Sequence, residues 1–203
     1  MDEIILIGAG GHARSCIDVI ELSNKYKISG LIEKNQINID DNLGYPIIGT
    51  DNDLEELREK YKFALVTIGQ IKSAEIRKRL FFLLKKLNYE LPTIISPKSY
   101  VSKHSKVGEG TIIMHGAIVS PNVQIGKNCI INTKALIEHD AKIGDNCHIA
   151  TAAVINGKVS IGDESFIGSR AVTKQSISIG NNSVIGAGKV IVENIESNLV
   201  IKN

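Results

Sequence analysis

The chain has 203 residues, 43% of them hydrophobic, enough to bury a sizeable core in one domain or two small ones. Charged residues make up 23% and nearly cancel to +2 with no dense Lys/Arg block, so neither nucleic acid nor a membrane surface is an expected partner. The apolar run Ile4 to Ala9 is too short and wrongly flanked for a signal peptide or spanning helix, and the three cysteines (Cys16, Cys129, Cys147) form no CxxC pair, so a cytoplasmic protein with reduced thiols is expected.

In chain order, Ile4 to Ile7 reads as a strand, Ala13 to Leu22 as an amphipathic helix and Ile28 to Ile32 as a second strand. A polar stretch follows, then a helix over Asp51 to Lys60, a buried strand over Phe63 to Ile68 and a helix over Ala74 to Leu87. This alternation predicts an α/β, Rossmann-like βαβ domain with a parallel sheet over residues 1–92. Gly8-Ala9-Gly10-Gly11-His12-Ala13 follows the first strand and opens the first helix, the setting of a phosphate-cradling loop. Glu33 ends the second strand, where an acid would meet a ribose. About 92 residues are too few for two mononucleotide halves, so one nucleotide is expected rather than a dinucleotide. The alternative is that the glycines serve only close helix-to-strand packing.

From Val101 onward the period becomes six. Val101, Val107, Ile113, Val119, Ile125, Ile131, Ile137, Ile143, Ile149, Ile155, Ile161 and Ile167 continue to Ile179, Ile185 and Ile191, and Thr173 is the one departure. Four places after most of them sits a small residue, such as Ala117, Cys129, Ala135 or Cys147. Glycine often follows the aliphatic residue directly, as at Gly108, Gly126 and Gly144, which suggests that Gly and Asn take up the corner dihedrals. The pattern predicts an all-β parallel β-helix over residues 93–203, three hexads to each 18-residue coil. A solenoid used only as a scaffold is the alternative reading.

These hexapeptide repeats behind a βαβ domain resemble the bacterial sugar acyltransferases of the sialic acid O-acetyltransferase (NeuD) and nucleotide-amino-sugar N-acetyltransferase (PglD) type. The resemblance is sharpest over Ile131-Asn132-Thr133-Lys134-Ala135-Leu136-Ile137-Glu138-His139-Asp140. It implies a left-handed β-helix, acetyl-CoA as co-substrate, a nucleotide-sugar or nonulosonic-sugar acceptor and a homotrimer. It departs at the end, where Val200-Ile201-Lys202-Asn203 stands in place of the family's Gly-Val-Pro-Ala-like segment.

Acetyl transfer needs a base, oxyanion donors and exclusion of water. His139 and Asp140 lie two and three places after Ile137, at a hexad corner, where the bend lets Asp140 bond one imidazole nitrogen and fix the tautomer. One coil further, at 139 + 18, stands Gly157, whose bare N–H matches the family's oxyanion donor. The resemblance assigns Gly10, Gly11, His12, Glu33, Lys34, Gly69 and Asn132 to the acceptor, with Arg77 as a further diphosphate candidate. It assigns Ser169, Gly186 and Ala187 to acetyl-CoA and His148 to the acetyl-CoA or acceptor site, with His148 meeting His139 only across a subunit boundary or else standing inert on the surface. His104 and His115 read as surface residues. The spacings from His115 to His139 and from His139 to His148 do not match the zinc-ligand pattern of β-helical carbonic anhydrases, so no metal is expected. His12 and His148 resemble residues of the nucleotide-amino-sugar enzymes that some sialate O-acetyltransferases lack, and that resemblance favours N-acetylation over O-acetylation of a sialic acid. A nucleotide-binding scaffold without turnover is the reading from another class.

Overall fold

A computed structural model describes residues 1–34 and 42–202. The N-terminal half runs β1 (Asp2–Ile7), α1 (Gly11–Ser23), β2 (Tyr26–Ile32), β3 (Ile47–Gly49), α2 (Leu54–Lys60), β4 (Phe63–Val66) and α3 (Glu75–Lys86). The four strands pair in parallel in the order β3-β2-β1-β4. Ile4, Ile5, Leu6 and Ile7 of central β1 are at most 1% exposed, as a parallel strand covered on both faces requires. β3 lies in the stretch the sequence reading passed over; three half-buried residues on a sheet edge give too short an apolar signal to register. A capping box opens the next turn, with the Asp53 carboxylate accepting from Thr50 N at 2.7 Å and Thr50 Oγ1 accepting from Asn52 N.

The second half is a left-handed parallel β-helix. Two-residue strands recur from Ile94–Ile95 to Val200–Ile201 and form three parallel sheets of seven, six and five strands. Rungs pair 18 residues apart, as Ile130 does with Ile112 below and His148 above. The interior is the set the hexad pattern marks, Ile113, Val119, Ile131, Ile137, Ile149 and Ile155 alternating with Ala117, Cys129, Ala135, Cys147 and Ala153, all at 0% exposure. The register reaches one hexad further back than Val101, to Ile95, which packs against this core. Val200–Ile201 pairs with Val184–Ile185, so the final coil is 16 residues long, and the C-terminal segment continues the helix instead of trailing from it.

Glycine and asparagine do take up corner dihedrals, as at Gly110, Gly116, Gly188 and Asn122, but the glycines that directly follow the aliphatic residues have a different cause. A residue with φ between 51° and 63° recurs at every sixth position from Asn122 to Asn182, but these corners are filled by Asn, Lys, Asp, Ala, Glu, Arg and Ser. Gly108 and Gly126, which follow the aliphatic residues, have no positive φ. A Cβ on Gly108 would instead lie 2.6 Å from the backbone of Gly126 in the next coil. These glycines permit close stacking of rungs, while neighbouring coils hold the left-handed corners at a cost of about 1 kcal/mol for each non-glycine residue.

The outer surface of the prism differs from face to face. On one sheet Ile112, Ile130 and His148 point outward yet are at most 7% exposed, because α1 and the loop after β4 cover them. Ile112, Met114 and Ile130 share a core with Ala13, Cys16, Ile17 and Ile20 of α1. A second sheet presents Lys106, Gln124, Lys142, Ser160 and Ser178 to solvent. The third presents Tyr100, Ile118, Leu136, Val154, Val172 and Val190, with Tyr100, Ile118 and Val190 at 60%, 43% and 68% exposure.

Candidate functional site

Two constellations form at two corners of the prism. The first joins the apolar third sheet to the polar one. Asp140 takes φ 63°, which turns its carboxylate back on its neighbour, and His139 Nδ1 lies 2.8 Å from Asp140 Oδ2. An ionised carboxylate only accepts, so Nδ1 carries the proton and Nε2 keeps a free lone pair. Asp140 Oδ1 accepts from Asn122 Nδ2 at 2.7 Å, one coil below. The Asp140 carboxyl is held below its usual range, first by the bond to His139 and then by the one to Asn122. Above the pair lies Gly157: a Cβ there would stand 2.8 Å from both Cε1 and Nε2 of His139, so the imidazole rests on this glycine. The His139 carbonyl accepts from Lys158 N, and Gly157 O from Ser176 N. Among the described residues the Gly157 N–H donates to no backbone carbonyl.

The second constellation lies where the N-terminal half meets the β-helix. His148 Nδ1 is 2.6 Å from Gln70 O, in the loop after β4, so this nitrogen donates, and Nε2 accepts from Asn132 Nδ2 at 3.1 Å. Asn132 Oδ1 accepts from Thr133 N, which fixes which end of the amide faces the ring. The His12 ring stands 6.5 Å from that of His148, and a Cβ added at Gly69 would lie 3.6 Å from His12 Cβ. Burial pushes the His12 imidazole down to about 3 and that of His148 to about 4, so both are neutral near pH 7. His148 is therefore no inert surface residue: it is 7% exposed and grouped with His12 and Asn132 rather than with Ser169, Gly186 and Ala187. Ser169 and Ala187 stack one coil apart at the corner above Asn132, where Ser169 O accepts from Gly188 N and Gly186 N donates to Ile201 O.

The glycine turn divides into a packed and an open part. Gly8 has φ 108°, and a Cβ there would overlap Ile68 Cγ1, so this glycine serves packing. Gly10 and Gly11 have nothing within 4 Å of an added Cβ, and Gly10 caps α1 with no side-chain acceptor on the helix N–H groups. Glu33 Oε2 accepts from Ala9 N at 3.0 Å, and its other oxygen accepts from Lys34 N. Glu33 and Lys34 line a cleft of about 690 Å³ at the carboxyl ends of the strands, with Thr50, Asp51 and Arg79 opposite.

Arg77 must be removed from the ligand candidates. It is 1% exposed and gives its guanidinium to Val66 O, Ile68 O, Asn128 O and Asn128 Oδ1 at 2.6 to 3.1 Å. Its task is to clamp the loop after β4 to the β-helix. Gln70 Nε2 donates to Asn146 O and Asn128 Nδ2 to Asn146 Oδ1, which completes the seam. His115 is likewise no simple surface residue. Its Nδ1 lies 2.6 Å from Ser96 Oγ and its Nε2 2.6 Å from Asp18 Oδ2, tying α1 to the first coils. Sequence reasoning missed Gln70, Asn128 and Asn146, which carry no motif. It also missed Asn122, although 140 − 18 points to it. Among the described residues no group of three or more His, Cys, Asp or Glu is placed to hold a metal ion.

Comparison with known proteins gives a consistent picture. Residues 3–82 match the PglD N-terminal domain, residues 104–139 and 140–175 match the bacterial transferase hexapeptide (six repeats), and residues 158–193 match the hexapeptide repeat of succinyl-transferase. Curated proteins yield no match. Among solved structures, the acetyltransferase domain of PglB from Neisseria gonorrhoeae is 30% identical over 96% of this chain and 93% of its own, with a TM-score of 0.87. The same domain in complex with acetyl coenzyme A is similar with a TM-score of 0.90 at 28% identity, over 98% of this chain and 94% of its own. A histidine-to-asparagine mutant of perosamine N-acetyltransferase from Caulobacter crescentus, in complex with CoA and GDP-perosamine, reaches 0.92 at 28% identity over 98% of this chain and 93% of its own.

Proposed function

This chain belongs to the PglD-type family of hexapeptide-repeat sugar acetyltransferases, and from that premise we propose that it transfers the acetyl group of acetyl-CoA to the amine of a nucleotide-linked amino sugar. The observation that carries this reading is the His139–Asp140 pair resting on Gly157, with Nδ1 turned to the carboxylate and no side chain between the ring and the glycine backbone. The neutral sugar amine attacks the thioester carbon. His139 Nε2 removes the amine proton as the C–N bond forms, Asp140 steadies the imidazolium, and the oxyanion accepts from the Gly157 N–H. Collapse breaks the C–S bond, and the proton held by His139 goes to the leaving sulfur.

Residues 1–92 hold the nucleotide-sugar and 93–203 the transfer machinery. The open Gly10–Gly11 turn at the start of α1 suits a diphosphate, Glu33 and Lys34 in the cleft suit the nucleoside, and His12, Gly69, Asn132 and His148 suit the sugar. Ser169, Gly186 and Ala187 suit the coenzyme. The complexes of the relatives with acetyl coenzyme A, and with CoA and GDP-perosamine, support this division.

The two corners border the same apolar sheet face from opposite edges, so one chain does not bring Asn132 beside His139. Packing that face against a second copy, in a homotrimer, excludes it from water and places one subunit's sugar pocket beside another's base. Among the described residues no helix is long and apolar enough to cross a membrane. Both substrates of the proposed reaction are cytoplasmic metabolites, which supports that location.

The test is thiol release from acetyl-CoA with GDP-perosamine and with UDP-, GDP- and CMP-sugars bearing free amines or only hydroxyls. Turnover with amine sugars alone is expected. Turnover with hydroxyl sugars alone would replace N- with O-acetylation, and none with any would overturn the reading.

A further inference from the structure

Resting on His139 as the base, we propose that Asn122 is a positioning residue for the reaction, holding Asp140 in the rotamer that keeps the His139 proton on Nδ1. Asp140 is a surface residue whose side chain is 37% exposed, so one bond to a neighbouring imidazole would not by itself fix a carboxylate with two free torsions. Asn122 stands one coil below, and its Nδ2 donates to Oδ1 at 2.7 Å while Oδ2 serves the ring at 2.8 Å. With each oxygen engaged by a different donor, the carboxylate plane is set. Both anchors are referred to the rigid backbone, since Asp140 N donates to Pro121 O of Asn122's own corner and Asn122 itself sits at φ 61°. Without the amide, Asp140 is free to turn to water or toward Lys158 in the coil above. The imidazole would then relax toward the Nε2–H form usual for a free neutral ring, which lacks the lone pair the reaction uses. The lowered pKa of Asp140 agrees with a carboxylate bonded from both sides.

The left-handed φ makes the choice of variant decisive. Alanine would add backbone strain, whereas Asn122→Gly keeps the corner and removes only the amide. Asn122→Asp also keeps the corner but sets a second carboxylate against Asp140. Long-range proton–nitrogen correlation spectra of ring-labelled protein read the His139 tautomer without substrate. Nδ1–H is expected in the natural protein and a mixture rich in Nε2–H in Asn122→Gly.

With acetyl-CoA and whichever amine sugar nucleotide of the panel turns over fastest, Asn122→Gly should lower kcat about tenfold with KM for both substrates unchanged. Asn122→Asp should lower it further. In an Asp140→Ala background, Asn122→Gly should have no additional effect. An unchanged tautomer in Asn122→Gly, or an undiminished loss on top of Asp140→Ala, would overturn the proposal. His139→Ala, assayed in parallel, separates the premise from the inference: retained turnover there removes His139 as base, whereas a dead His139→Ala beside an unimpaired Asn122→Gly overturns the positioning role alone.

Discussion

The two corners of the β-helix place a histidine beside a polar partner by opposite means. At the His139 corner every participant lies on one stretch of chain or a whole number of coils away: Asp140 adjacent, Asn122 eighteen before Asp140, Gly157 eighteen after His139. The ring is 58% exposed, and its geometry comes from backbone repetition. At the His148 corner the partners come from distant sequence, Gln70 from 78 residues away and His12 from α1, and the ring is buried. Its geometry comes from packing two halves together. Chemistry at the first corner should therefore be separable from stability, and at the second it should not.

The sharpest break in that contrast is expected from His139→Ala. Steady-state kcat should fall by about 10²- to 10⁴-fold, the usual contribution of general base catalysis, while the thermal midpoint stays within about 2 °C because an exposed side chain is lost. On the other side of the contrast, Arg77→Ala should destabilise by about 3 kcal/mol in urea titration, since it strips three buried acceptor contacts and one part-buried one of their donor. A variant that lost activity with unchanged stability would show that Arg77 serves the ligand after all. Gly157→Ala tests the stacking: its φ is ordinary for alanine, so the new methyl should displace the ring and cut kcat by about 10² with little change in the urea midpoint.

A pH series separates the corners in a further way. His12 and His148 titrate below their unfolded value of 6.5, so the unfolded chain binds more protons and stability must rise with pH. It should be complete above about pH 6.5 and fall by up to about 1.4 kcal/mol per pH unit for each histidine between about 6.5 and 4. Urea midpoints across that window should flatten in His148→Asn. An unaltered slope would mean that its burial is not what sets the dependence.

The legible and illegible parts of the molecule divide along the same line. Ile113, Ile131 and Ile149 could be named as core because each rung repeats the environment of the last. The His139–Asp140 contact followed from where the corner falls. Reading the same register backward by one coil would have found Asn122. The corner dihedrals were assigned to the wrong glycines because a sequence shows a periodic small residue without showing whether φ or a neighbouring backbone demands it. His115 and Arg77 were misread because their partners, Asp18 and Asn128, have no fixed offset from them.

By itself the sequence determined the solenoid, its inner residues and the meeting of His139 with Asp140, because a parallel β-helix turns spacing along the chain directly into distance in space. Only the tertiary structure decided that Arg77 is a clamp, that His148 faces Gln70 and Asn132, and that one outer face is covered while another stays bare and apolar. Those facts depend on how the βαβ half lies against the prism, and that docking is fixed by surface complementarity between segments whose separation in sequence carries no period.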